Sequence, residues 1–193
     1  MGLDPKAVRA WLELLHGTSP GLIHVCASGN WAGSACSDIE QAVAYVETME
    51  QASKASIYVR ATTLREPLAS GARGSESDAL ALPGLWADID LEGPGHKHDP
   101  GKYEGRRLVP DEASAWELIA GSGLPEPTLW VHSGGGLYPW WLLDQPHVID
   151  GDLDYVRQLS GDWQDAIERA ARAMGWHYGT GVKDLARVLR IPG

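Results

Sequence analysis

Within Leu85-Trp-Ala-Asp88-Ile-Asp90-Leu-Glu92, two carboxylates stand two positions apart inside a short apolar run. Side chains alternate across a strand, so the pattern sets Leu85, Ala87, Ile89 and Leu91 toward a core and places Trp86, Asp88 and Asp90 together on the other face. Two like charges held this close either raise the pKa of one acid or are neutralised by a cation. Hard oxygen donors of this kind suit magnesium or manganese. A solvated polar face near a strand end has the same pattern, and this run alone leaves both readings open.

Two later stretches carry complementary groups. Thr128 to Ser133 and Leu137 to Leu143 flank Gly134, Gly135 and Gly136, a hairpin pattern in which consecutive glycines let the backbone turn sharply and approach a ligand. Exposed amides there are candidates for holding a phosphate, and a plain tight turn reads the same way. Pro139 breaks the ladder of a central strand, so the second arm is expected at an edge or bulged. In Lys183-Asp-Leu-Ala-Arg-Val-Leu-Arg-Ile-Pro-Gly193, the residues Leu185, Val188, Leu189 and Ile191 anchor the segment while Asp184, Arg187 and Arg190 point elsewhere. Asp184 is a candidate third carboxylate. Two divalent ions at such a trio activate an attacking 3′ hydroxyl and stabilise a leaving pyrophosphate, and the arginines neutralise a triphosphate. A capping Asp and surface arginines are the alternative.

The elements that position these groups alternate between helix and strand. Asp4-Pro5 starts a helix striped by Val8, Trp11, Leu12 and Leu15 and stopped near Gly17. Gly21 to Ser28 reads as a strand, and Ser37 with Glu40 reads as a capping box before the stripe Ile39, Val43, Val46 and Met49. Ile57 to Thr62 is a further strand. The Gly- and Ser-rich segment from Leu64 to Leu82 reads as a connection that divides lobes 1–82 and 83–193 of a single 1–193 domain. A helix over about Asp111 to Ala120 and a long amphipathic helix marked by Leu153, Val156, Leu159, Trp163, Ile167, Ala171 and Met174 complete the pattern.

Composition narrows the class. The 193 residues are 44% hydrophobic, enough for a well-buried domain. No apolar stretch of membrane-spanning length and no basic-then-apolar leader is present, so the expected location is the cytoplasm, without a membrane partner. Cys26 and Cys36 lack zinc-ribbon spacing and read as reduced thiols. A net charge of −10 argues against broad adhesion to a phosphate backbone, so any nucleic-acid contact is local. Nine Trp and no Phe is an unusual aromatic choice that core and rim packing explain better than base stacking.

Taken in order, Leu-Trp-Ala-Asp88-Ile-Asp90, Ser133-Gly-Gly-Gly-Leu-Tyr138-Pro-Trp-Trp and Asp184-Leu-Ala-Arg-Val-Leu-Arg-Ile-Pro-Gly resemble the archaeo-eukaryotic primase superfamily. The likeness is to the bifunctional primase-polymerase domains of actinobacterial, phage and plasmid replication proteins. It covers residues 85–193 best. It implies an α+β catalytic core with an RNA-recognition-like mixed sheet flanked by helices, plus an N-terminal α/β lobe. The implied activity is that of a DNA primase or DNA-directed polymerase, transferring nucleotides from dNTP or NTP along a DNA template and primer. Asp88, Asp90 and Asp184 would bind two ions of Mg2+ or Mn2+. His132, Ser133, Gly134, Gly135, Tyr138, Arg187 and Arg190 would bind the nucleotide. Relatives continue past the Ile191-Pro192-Gly193 end, so a longer protein with a helicase region is expected.

One position departs from the family. Where its second motif commonly places a His, this chain has Tyr138, whose hydroxyl donates a hydrogen bond but carries no positive charge near neutral pH. Alternation puts Leu129 and Val131 toward the core and Trp130 and His132 on the other face, which makes His132 a candidate substitute on the face of Asp88 and Asp90. The loop Gly93 to Tyr103, with His96, Lys97, His98, Asp99 and Lys102, reads as a mobile basic lid over substrate, with zinc binding as the less favoured alternative. Arg60, Arg65 and Arg73 are candidate phosphate contacts or solvated surface groups. A metal-dependent nuclease and a noncatalytic replication-initiation or DNA-binding module are the rival functions.

Overall fold

The computed structural model describes residues 3–52, 56–69, 72–93, 103, 105–179 and 181–192, so nearly all of the expected basic loop, His96 and His98 included, lies outside the described residues. Among the described residues, four α-helices, α1 Pro5–His16, α2 Ile39–Ala52, α3 Glu112–Gly121 and α4 Leu153–Ala173, are interspersed with eight strands. These are β1 Ile23–Ala27, β2 Gly33–Cys36, β3 Ile57–Arg60, β4 Ala81–Trp86, β5 Ile89–Asp90, β6 Leu129–His132, β7 Gly136–Val148 and β8 Val188–Arg190. The chain forms two compact units. The first comprises Met1–Gly84, Leu143–Val156 and Leu185–Gly193; the second comprises Leu85–Leu142 and Arg157–Asp184. Among the described residues no helix is long and apolar enough to cross a membrane.

In the first unit, Asp4 caps α1 by accepting from the Lys6 amide at 3.0 Å, Pro5 fills the first turn, and Gly17 ends the helix. The stripe Val8, Trp11, Leu12 and Leu15 is buried as its spacing requires. The cap of α2 is shifted by one residue from expectation. Asp38 accepts from the Gln41 amide at 2.8 Å, and the Gln41 side chain accepts from the Ser37 amide at 3.2 Å, so the box is built on Asp38 and Gln41 rather than Ser37 and Glu40. A carboxylate is the better acceptor at the positive end of a helix.

The sheet of this unit runs β2-β1-β3-β8, all antiparallel. β2 escapes sequence reading because Gly-Ser-Ala-Cys has no alternating large apolar residues; backbone pairing with β1 makes it a strand. Cys26 and Cys36 are buried free thiols, and burial pushes Cys26 up to about 12 and raises Cys36. Arg60 is fully buried, contrary to the expectation of a phosphate contact or a surface group. Its guanidinium donates to Thr62 Oγ1 at 3.0 Å and to the carbonyls of Arg73 and Ser75 at 2.7 and 2.8 Å. It thereby ties the segment after Leu64 to the end of β3.

In the other sheet, β7 is the central strand: β5 and β6 flank it on opposite sides, and β4 is also its neighbour. The edge position that Pro139 suggested is therefore not observed. Pro139 accepts from the Ala87 amide at 3.0 Å but has no N–H to return the bond. Opposite it the ladder lapses at Ala87 and Asp88, between β4 and β5. The cost of a central proline appears as a break in the neighbouring strand. Asp111 caps α3 by accepting from the Ser114 amide at 2.8 Å. Among the described residues, the isolated bridges Leu91↔Val109 and Arg107↔Trp176 are parallel.

Candidate active site

The site is built on the interrupted strand of the second unit. Asp88 sits in the break and is half-buried, while Asp90 closes β5 and is exposed. The expected alternation holds for Ala87 and Ile89, both fully buried, but Trp86 is buried too and does not share an open face with the acids. Its ring packs 5.7 Å from that of Trp140. The face that carries the carboxylates is thus closed by indoles at one end and opens at Asp90.

Sequence reading missed the groups that hold the break in shape. The Gln164 side chain on α4 donates to the Trp86 carbonyl at 2.6 Å and accepts from the Tyr178 hydroxyl, whose oxygen in turn accepts from the Asp88 amide at 3.4 Å. Gln164 and Tyr178 are both buried, so a polar bridge spans Ala87 within the interior and fixes the backbone on either side of it. The one available signal was a Gln on the buried stripe of α4, between Ser160 and Ile167.

Beside the acids lies the glycine hairpin. Ser133 donates to the Gly136 carbonyl at 3.0 Å, which leaves Gly134 and Gly135 as a two-residue loop, and Gly134 has φ of 87°, the left-handed region where glycine is unstrained. Gly136 pairs with Asp90, and a Cβ there would collide with the Ile89 carbonyl. Glycine at 136 therefore lets β7 approach β5 closely, and the hairpin loop begins one residue from the partner of Asp90.

Register settles which side chains share the carboxylate face. Direct partners in an antiparallel ladder point to the same side. Asp90 pairs with Gly136, so Tyr138, two residues on, takes the face of Asp90, together with its own partner Val131. His132 pairs with Leu137, which pairs with Ile89, so His132 takes the opposite face. The expected phase of β6 is therefore reversed: Leu129 and Val131 share the acid face, and Trp130 and His132 do not. His132 is exposed, with Nδ1 at 3.6 Å from Glu112 Oε1 on α3. Tyr138 is buried.

Asp184 is half-buried at the end of the second unit, behind Lys183, whose ammonium pairs with Asp165 and whose carbonyl accepts from Ser160 at 3.1 Å. Among the described residues no three His, Cys, Asp or Glu side chains gather to hold one ion, so Asp88, Asp90 and Asp184 do not form a preformed three-ligand cage. The donor chemistry of the Asp88 and Asp90 pair still fits magnesium, which binds through one or two carboxylates with substrate phosphates completing its shell. Arg187 and Arg190 belong to the first unit. Arg190 pairs with Tyr58 across β8 and β3, donates to Ser56 Oγ at 2.9 Å, and lies 5.9 Å from the centre of the Tyr58 ring.

No protein-family model matches the sequence, and no curated protein matches it either. Among solved structures, the chain is similar to the archaeo-eukaryotic primase domain of the cyanophage S-2L primase-polymerase (PrimPol). The TM-score is 0.61 at 12% identity, over 99% of this chain and 83% of that one. The chain has the fold of an archaeo-eukaryotic primase-polymerase domain, an α+β architecture of antiparallel sheets and helices.

Proposed function

We propose that the chain is a template-dependent nucleotidyltransferase, a DNA primase or DNA polymerase. The observation that carries this reading is the pairing of Asp90 with Gly136, which sets a carboxylate pair against a glycine hairpin within a primase-polymerase fold. Asp88 and Asp90 would hold Mg2+ or Mn2+. Two such ions, when bound, would supply Lewis acidity to an attacking 3′ hydroxyl and a leaving pyrophosphate. The amides of Gly134 and Gly135 offer neutral donors to phosphate oxygens, and a nucleotide contact by Tyr138, buried on the face of Asp90, rests on the family resemblance. The Gln164 and Tyr178 bridge holds the backbone between Trp86 and Asp88, which lowers the reorganisation needed at Asp88 when a ligand binds. The parts of Asp184, Arg187 and Arg190, and any dNTP or NTP preference, rest on the family resemblance. So does a helicase region in a longer protein.

The test is incorporation of labelled dNTPs and NTPs on a DNA template, with and without primer, with pyrophosphate measured alongside. Template-dependent extension with stoichiometric pyrophosphate is expected. It should fall at least about a thousandfold in Asp88→Ala and Asp90→Ala at unchanged folding, because each removes a hard ligand without deleting core volume. Strand cleavage without pyrophosphate would instead establish a nuclease, and absence of both activities with retained DNA binding would establish a noncatalytic module.

A further inference from the structure

The second unit carries an apolar groove of about 510 Å³ that the candidate active site does not use. Its walls are Trp116 on α3, Trp130 on β6, and the connecting segment Leu124, Pro125, Glu126 and Pro127. The two indoles meet edge to face, with centroids 6.3 Å apart and planes at 64°. Trp116 is 55% exposed, a large apolar surface left facing solvent on a helix that buries Ala115 and Leu118 and sets Ile119 at the base of the groove. The groove is braced from below, since Trp141 Nε1 donates to the Pro125 carbonyl at 2.7 Å and the Thr128 amide donates to the Trp140 carbonyl at 2.7 Å.

Charge selects the occupant. From Leu108 to Val156 the sequence has no Lys or Arg, while Asp111, Glu112, Glu117 and Glu126 are all present. Glu126 is itself a wall of the groove, and Glu112 stands one helical turn before Trp116. Of the side chains that line the groove, the charged one is the Glu126 carboxylate, which repels a phosphate backbone, so the crossed tryptophans are not a platform for single-stranded nucleic acid. Crossed aromatic rings with a neighbouring carboxylate suit a proline-rich segment, whose preformed polyproline II helix loses little entropy on docking. A flanking Arg or Lys would lie over an indole and beside Glu126. We propose that this groove docks a proline-rich, basic peptide segment of a partner protein, independently of nucleotidyl transfer.

The test uses fluorescence anisotropy with a labelled Arg-Pro-Leu-Pro-Pro-Leu-Pro-Arg peptide as probe. Controls are the same peptide with Asp in place of Arg, a basic amphipathic helical peptide, and an oligo-dT strand. Saturable binding of the Arg peptide is expected, weakened about tenfold or more by Trp116→Ala and by Glu126→Lys, and about tenfold weaker for the Asp peptide. Both substitutions are at exposed positions, and circular dichroism confirms the fold. Oligo-dT affinity should be the same in Trp116→Ala as in the parent chain. Absence of saturable binding, equal affinity for the Asp peptide, or indifference to both substitutions would overturn the proposal. Tighter binding of the helical peptide, or self-association of the protein that Trp116→Ala abolishes, would overturn it as well.

Discussion

The two antiparallel sheets of this chain treat charge in opposite ways. In the β2-β1-β3-β8 sheet, Arg60 is sealed from solvent, and three of its guanidinium donors are met by one hydroxyl and two backbone carbonyls. In the β7-centred sheet, Asp88 stands half-buried where the ladder lapses and Asp90 stands exposed just beyond it, at the end of β5. The first charge is spent internally on structure. In the second region Tyr178 and Gln164 engage the backbone on either side of Ala87, at the Asp88 amide and the Trp86 carbonyl. A charged residue in a strand motif is therefore assigned by what its backbone and side chain each satisfy, and residue type alone does not assign it.

The contrast breaks most sharply at Arg60. Arg60→Leu removes three hydrogen bonds from a charged donor at a fully buried position, so it should destabilise the fold by about 3–5 kcal/mol in denaturant titration. Asp88→Ala should be neutral or slightly stabilising by the same measurement. Comparable losses from both would erase the distinction.

Acid sharpens the same contrast. Burial pushes His16 down to about 4, although its Nε2 lies 3.1 Å from the Arg60 carbonyl, and burial with the nearby Arg60 charge pushes His24 down to about 4. The unfolded chain takes up protons below its ordinary value of 6.5, whereas the folded chain resists them until about 4. Stability is therefore complete above about 6.5 and is lost as pH falls through that window. Thermal unfolding at fixed ionic strength should follow this course, with a shallower slope in His24→Leu. A melting temperature flat across the window would show that these histidines are not held neutral.

Gln164→Leu and Tyr178→Phe test whether the strand break is positioned. Each removes two of the three hydrogen bonds of the bridge, for about 1–3 kcal/mol of stability. Each should also slow incorporation about tenfold with little change in half-saturating nucleotide, because geometry at Asp88 is lost while nucleotide contacts persist. Loss of stability alone would make the bridge purely structural.

The smallest effect is expected at His132. It faces away from Asp90, so His132→Ala should change the half-saturating nucleotide concentration by less than about twofold. Tyr138→Phe should raise it several-fold by removing one hydroxyl donor. The reverse ranking would mean that the strand phase differs in solution.

Legibility in the sequence followed the range of the interactions concerned. The α1 cap and stripe, the strand around β1, the glycine hairpin and the length of α4 are local patterns, and all could be read directly. The phase of β6 could not. The glycines between Ser133 and Leu137 set the register across the turn, and shifting it by one residue exchanges His132 and Val131 between faces. Arg60 was misplaced because its acceptors, the carbonyls of Arg73 and Ser75, lie in a segment that reads as a loose connection. Gln164 and Tyr178 acquire their role only when α4 and the chain after it pack onto the strand break. Pro139 was read correctly as a ladder breaker, but the break appears in the adjacent strand, which no single-strand pattern encodes.

The central claim is that Asp88 and Asp90 form an open carboxylate pair completed by nucleotide. It is tested most directly by titrating the intact chain with Mn2+ under electron paramagnetic resonance, with and without a nucleoside triphosphate. Two carboxylates without a third gathered ligand should bind Mn2+ weakly alone and at least about tenfold more tightly with triphosphate present, and the enhancement should vanish in the Asp88→Ala/Asp90→Ala double variant. Tight binding without nucleotide, or an enhancement that survives the double substitution, would contradict the account.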